Sequence, residues 1–297
     1  MNVFVLLALG GAAGLLAGMF GVGGGFLATP LLIFVGIPPA VAVASQANQV
    51  VANSVSSLQV QWRRGNVDLR MGLILLLGGM VGSSAGVTLF TYLKRIGQID
   101  FVIAVLYVVM LSAIGSLMLA ESLRSWLKTR RNPEAPRGKL HTHYLVHRLP
   151  WKMRFYKSKL YISALLPLGL GFSIGILSAI LGVGGGFVLV PAMIYLLGMP
   201  TTVVIGTSNF QILFVAANVT FLQATTNGTV DVVLALLLIL GGVVGAPIGA
   251  RIAAKLPGVV LRGLMAVLVL AVAVELLTEL LRAPASPYSL GARETGL

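Results

Sequence analysis

The chain has 297 residues, 57% of them hydrophobic and only 10% charged, and its mean hydropathy is +0.97. Apolar stretches near 20 residues recur along its whole length, which excludes a soluble domain and a barrel of short alternating strands and defines a polytopic helical membrane protein. The net charge of +13 does not argue for nucleic acid, because eleven of the 21 Lys/Arg sit in one segment, Arg124–Lys159. There is no cysteine, hence no disulfide, no thiol catalysis and no Cys-based metal site.

The N-terminus opens Met1-Asn2-Val3-Phe4 without a basic region, so the first span is expected to be retained rather than cleaved. Apolar segments follow at 3–20, 26–36, 40–60, 71–92 and 101–120. After a polar stretch a second set runs at 161–181, 187–198, 202–223, 231–250 and 258–281. The expected organisation is a first membrane repeat at 1–120, a basic linker at 121–160, a second repeat at 161–283 and a polar tail at 284–297.

Between the first two segments of each set lies a glycine cluster. Gly21-Val22-Gly23-Gly24-Gly25-Phe26, with Pro30 four residues on, returns as Gly182-Val183-Gly184-Gly185-Gly186-Phe187 with Pro191. Glycine clusters break helices, and in a membrane the freed N–H and C=O groups need protein, water or a ligand. The segments after the clusters are too short to cross ~30 Å of hydrocarbon at 1.5 Å per residue, so they read as half-helices. Pro30 and Pro191 are expected in their first turns, where no helical N–H bond is lost. Two such N-termini, with free N–H groups and partial positive charge, would cradle an anion without a buried arginine. The plainer reading is a tight bend that lets helices pack. Neither nucleotide loop fits, since Phe26 and Phe187 stand where Lys or the third glycine would be needed.

The match between the halves extends further. At an offset of 161 residues Pro39 meets Pro200 and Asn48 meets Asn209; at 163, Gly65-Asn66-Val67-Asp68 meets Gly228-Thr229-Val230-Asp231, and Gly78, Gly82 and Gly86 meet Gly241, Gly245 and Gly249. This is one five-segment unit used twice. The glycines at every fourth position predict close-packing faces, and Asp68 and Asp231 predict helix N-caps. With 121–160 placed in the cytoplasm, 17 Lys/Arg fall inside and four outside. The turn at 61–70 is basic and its counterpart at 224–231 is not, as expected of inverted-topology repeats with both termini outside.

The third segment of each half carries polar side chains that are costly against lipid, so they face protein or a water-filled path. Asn48 and Asn209 are the first candidates for substrate contact, with Gln49, Thr207, Ser208 and Gln211 next; interhelical hydrogen bonding is the alternative. The candidate substrate site comprises Gly23, Gly24, Gly25, Phe26, Asn48, Gln49, Gly184, Gly185, Gly186, Phe187, Thr207, Ser208, Asn209 and Gln211. Of eight Asp/Glu only Glu275 lies inside a span, which favours an anionic or neutral substrate and leaves Glu275 as a candidate proton group. His141, His143 and His147 all lie in the basic stretch, and no metal, cofactor or catalytic constellation is expected. Around Trp151–Tyr161 an amphipathic helix is expected, and 124–159 is a candidate contact for anionic lipid.

The paired Gly-x-Gly-Gly-Gly-Phe-x3-Pro pattern, the two-copy layout, the stretches Ser45–Asn48 and Gly206–Asn209 and the basic central loop resemble the sulfite exporter TauE/SafE family of permeases. The resemblance covers the chain apart from the central loop and the tail. It implies a multi-pass protein of the bacterial inner membrane that exports sulfite, a sulfonate or a related organosulfur anion. Alternating access about a midplane site is the expected mechanism. A proton- or sodium-coupled importer and an anion channel stand as alternatives, and a homodimer is left open.

Overall fold

The computed structural model describes residues 3–20, 25–131, 151–158, 160–255 and 258–281. They form ten α-helices and one β-hairpin. The first half comprises α1 (Val3–Phe20), α2 (Gly25–Phe34), α3 (Pro39–Arg63), α4 (Leu69–Arg95) and α5 (Ile99–Arg131). The second comprises α6 (Leu165–Leu181), α7 (Gly186–Tyr195), α8 (Thr201–Leu222), α9 (Val232–Lys255) and α10 (Gly258–Leu281). Five of the helices are long and apolar enough to cross a membrane. Large side chains such as Leu77, Val81, Val109, Leu117, Val233 and Val267 point outward, as a lipid-facing surface requires.

Helix pairs form across the halves. Gly10, Gly14 and Gly18 of α1 lie in order against Leu238, Gly242 and Ala246 of α9, so these helices run parallel in backbone contact. Gly78, Gly82 and Gly86 of α4 lie in order against Leu168, Phe172 and Ile176 of α6. The glycine faces therefore do what their spacing predicts: a Cβ on Gly82 or Gly245 would run into the backbone carbonyl of Phe172 or Gly11. The α5 helix packs on α10, and α3 on α8. Exchanging the five helices of one half for those of the other maps this pairing onto itself.

The α3 and α8 helices cross antiparallel. Asp68, just past the end of α3, donates its backbone N–H to Thr207 Oγ1 near the start of α8 at 3.0 Å. Asp231, just past α8, donates in the same way to Ser45 Oγ near the start of α3, also at 3.0 Å. The α3–α4 and α8–α9 turns thus lie at opposite ends of the pair. Asp68 and Asp231 are N-caps as expected, each Oδ1 accepting from the N–H three residues on, Met71 at 3.3 Å and Leu234 at 3.0 Å.

These contacts also set the register between the halves, which differs from the expectation for Asn48 and Asn209. Pro38 and Pro200 occupy the N-cap positions, Gly36 and Gly198 the left-handed turn before them, and Ser45 and Thr207 the same hydrogen bond. Along α3 and α8 the offset is therefore 162 residues, one more than at the glycine clusters. The extra residue enters in the connection after α7. A π-turn at Gln223–Asn227 accounts for the next step to 163. Asn48 thus corresponds to Phe210, and Asn209 to Ala47. The true polar equivalents are Ser45 with Thr207 and Gln49 with Gln211.

Two local expectations are corrected. The amphipathic helix expected around Trp151–Tyr161 is instead an antiparallel hairpin, β1 (Lys152–Phe155) and β2 (Leu160–Ser163), with Phe155 opposite Leu160 and Met153 opposite Ile162. Alternation puts Phe155 and Ile162 on one face, buried against Met71, Leu197 and Val204. Pro30 and Pro191 are each the sixth residue of their helices, beyond the first turn. Each ring removes the N–H that would pair with the carbonyl of Phe26 or Phe187. The α5 helix also continues to Arg131, into the stretch assigned to the linker.

Candidate functional site

The α2 and α7 helices are ten residues each, about 15 Å, and fold back along α3 and α8. Gly25 lies against Val50, eleven residues into α3, and Gly184 lies against Val50 and Ile212, the latter eleven residues into α8. Both breaks therefore lie against the middles of α3 and α8, and they touch. A Cβ on Gly25 would come within 3.1 Å of the Val183 carbonyl. The Phe26 and Phe187 rings stack with centroids 4.2 Å apart and planes inclined by 8°. Both rings are buried.

Glycine is required here by backbone conformation as well as by space. Gly182, Gly184 and Gly185 have φ of 67°, 69° and 77°, the left-handed region that a Cβ disfavours. Gly182 also abuts the Val43 carbonyl. At the N-terminus of α7 the Gly185 carbonyl already accepts from Leu189 at 2.8 Å, while the first N–H groups have no partner within the helix. The first described residue of α2 is Gly25, the counterpart of Gly186 at the start of α7. Gly23 and Gly24 lie outside the described residues, as do His141, His143 and His147.

The broken end of α6 is finished by a residue the sequence reading did not single out. Tyr107 of α5 donates its hydroxyl to the Leu181 carbonyl at 2.6 Å. Thr29 of α2, fully buried, lies beside that hydroxyl. A small apolar cavity alongside is lined by Phe26, Tyr107, Leu177, Leu181, Phe187 and Val188. A tyrosine inside an otherwise apolar span was the available signal, since a buried phenol needs a partner.

The polar candidates on α3 and α8 divide into bonded and unbonded groups. Gln49 is fully engaged: it accepts from Gln46 Nε2 at 2.8 Å and donates to Leu238 O at 2.9 Å and Gly10 O at 3.3 Å. It staples α3 to the α1–α9 pair. Thr207 holds Asp68, and Ser208 donates to Ile205 O of its own helix at 3.2 Å. Asn48, half-buried, makes long contacts of 3.5 and 3.4 Å to the Ala44 and Ser45 carbonyls. Asn209 is buried. Gln211 is the outlier: it is fully buried against Gly79, and among the described residues neither of its amide atoms has a hydrogen-bond partner. Interhelical bonding does occur elsewhere on α8, where Asn218 donates to Ser83 Oγ at 2.9 Å. Glu275 of α10 is exposed on the outer surface of the bundle.

A helical membrane bundle whose two halves each bring a broken helix against the middles of α3 and α8, where the breaks meet, has the architecture of a membrane transporter. The comparisons agree. The chain belongs to the family described as sulfite exporter TauE/SafE, whose profile matches residues 6–276. It is similar to the probable membrane transporter protein YunE of Bacillus subtilis, 26% identical over 251 residues, which are 81% of this chain and 85% of that protein. It is likewise similar to a probable membrane transporter protein of Xylella fastidiosa strain 9a5c, 29% identical with 81% of each chain covered. The probable membrane transporter protein YjnA of Bacillus subtilis is 28% identical, with 81% of this chain and 86% of that protein covered. No solved structure matches the chain.

Proposed function

We propose that this chain exports a small sulfur-containing anion, sulfite or a sulfonate, across the bacterial inner membrane by alternating access. The observation that carries the proposal is the meeting of the two breaks against the middles of α3 and α8, where the N-termini of α2 and α7 converge beside the Phe26–Phe187 stack. Two helix N-termini supply N–H donors and partial positive charge without a buried cation that would hold the anion too tightly. The family name supports a sulfur oxyanion. The antiparallel run of α3 and α8 supports inverted-topology repeats, which this mechanism uses. The unpartnered Gln211 amide is the neutral side-chain donor available to substrate, with Asn48, Asn209, Thr207 and Ser208 nearby on the same two helices. The Phe26–Phe187 stack closes the site in this conformation and parts to admit the anion.

Energetically, an inside-negative potential favours exit by about 2.3 kcal/mol per charge per 100 mV, so efflux needs no coupling ion. The basic stretch 121–160 is cytoplasmic in this reading. The test is purified protein in liposomes loaded with sulfite or a small sulfonate. Outward flux should follow an imposed potential and saturate with concentration. Absence of flux with every sulfur oxyanion tried, in folded protein, would reject the substrate assignment.

A further inference from the structure

The two ends of the bundle carry equivalent clamps that differ in one respect. At one end Asp68 holds Thr207 of α8 through its N–H at 3.0 Å. Its Oδ1 caps α4, and its Oδ2 accepts from the hairpin, from Ser158 N at 3.0 Å and Ser158 Oγ at 2.6 Å. The carboxylate is buried, and Lys157 Nζ donates to the Gly65 carbonyl of the α3–α4 turn at 3.1 Å. Arg70 lies over the Tyr156 ring, 5.4 Å from its centroid. At the other end Asp231 holds Ser45 of α3 at 3.0 Å and caps α9, but among the described residues it is exposed and no hairpin covers it.

These clamps lie at the joints between the closely packed helix pairs. The α1–α9 and α4–α6 pairs are in backbone contact through their glycines, which leaves little room for sliding within either pair. Each clamp joins one such pair to the crossing helix of the other half: Asp68–Thr207 joins the α4–α6 pair to α8, and Asp231–Ser45 joins the α1–α9 pair to α3. Shear between packed units needs only a few side-chain contacts to exchange. The two joint bonds are themselves neutral, backbone N–H to hydroxyl; at the Asp68 end the buried carboxylate adds charge-assisted bonds to the hairpin, which are among the stronger contacts that can hold that end together.

Resting on the transporter reading above, we propose that Asp68–Thr207 and Asp231–Ser45 are the two gates of the pathway. The hairpin of β1 and β2 is a latch on the Asp68 gate, so that the protein rests with that end shut. Opening one gate while the other stays closed is alternating access, and the latch sets which state dominates.

The absence of cysteine permits a direct test. Ser54 of α3 and Ala216 of α8 are equivalent, fully buried positions on opposite sides of the breaks, toward the Asp68 and Asp231 ends respectively. Each is replaced singly by cysteine in full-length protein in liposomes, and the rate of modification by N-ethylmaleimide is measured. Adding Ser158→Ala should raise labelling at S54C by about tenfold, the scale of one lost charge-assisted hydrogen bond, and lower it at A216C. Adding Ser45→Ala should do the reverse. Parallel increases at both positions would mean general loosening and overturn the proposal. So would unchanged labelling in variants whose thermal stability shows the bond was lost. Labelling does not depend on substrate: reciprocal shifts without sulfite flux would keep the gates and reject the anion, while sulfite flux without reciprocal shifts would do the opposite.

Discussion

Gln49 and Gln211 occupy equivalent places in the two halves, each against a glycine of the neighbouring scaffold helix, Gly242 and Gly79. Gln49 satisfies both of its amide atoms within the bundle, whereas Gln211 finds no partner for either among the described residues. A buried, unpaired amide costs more than a bonded one returns, so Gln211 calls for a physical explanation. The difference separates a symmetric scaffold, in which both halves use the same packing, from a polar layer in which one half braces the structure and the other keeps a donor free.

The strongest way to sharpen this comparison is on the scaffold, where the halves should respond alike. Gly82→Ala and Gly245→Ala each push a methyl into a backbone carbonyl, of Phe172 and of Gly11, and neither backbone can yield alone. Each should lower unfolding stability by roughly 2–5 kcal/mol, on the scale of severe overpacking, and the two values should agree within about 1 kcal/mol. A large difference in thermal denaturation in detergent would break the symmetry claimed for the packing.

The capping aspartates come next, and they should not agree. Asp231→Ala removes an exposed N-cap and should cost about 1 kcal/mol. Asp68→Ala also strips Ser158 of both its contacts and frees the hairpin, so about 2–4 kcal/mol is expected. Equal costs would mean that the hairpin contributes nothing at that end.

The glutamines test the polar layer. Gln49→Leu should destabilise by about 1–3 kcal/mol, because Gln46 loses its acceptor and α3 its tie to α1 and α9. Gln211→Leu should leave stability unchanged or raised, yet reduce anion flux about tenfold. If both variants lose stability equally and neither changes flux selectively, Gln211 is structural. The smallest effect is expected at the aromatic stack: Phe26→Leu and Phe187→Leu should each cost about 0.5–1.5 kcal/mol beyond lost burial and raise passive anion leak.

Much of the architecture could be read in the sequence because it is written in glycine and proline. The repeated Gly-x-Gly-Gly-Gly-Phe marked both half-helices, the glycines at every fourth position marked the backbone-close pairs, and Asp68 and Asp231 marked the start of α4 and α9. Register was less legible. Residue identity favours Asn48 with Asn209, but one apolar residue added beside Leu196 and Leu197 shifts α8 by a position, and apolar loop residues leave no trace in such a match. The hairpin was missed because its few apolar residues fit a helical or a strand period equally well over so short a run. Its anchor, Ser158 on Asp68, spans 90 residues of sequence. Tyr107 was missed for the same reason, since its partner lies 74 residues away at the broken end of α6.

The central claim is that the two breaks together hold the anion. It is tested most directly by an experimental structure of the protein with selenite, the heavier congener of sulfite, located by anomalous scattering. The account predicts one strong peak between the two breaks, within hydrogen-bond distance of the N-termini of α2 and α7 and beside the Phe26–Phe187 stack. A peak only among the basic residues at the bundle ends, near Arg63, Arg64 and Lys157, would contradict it.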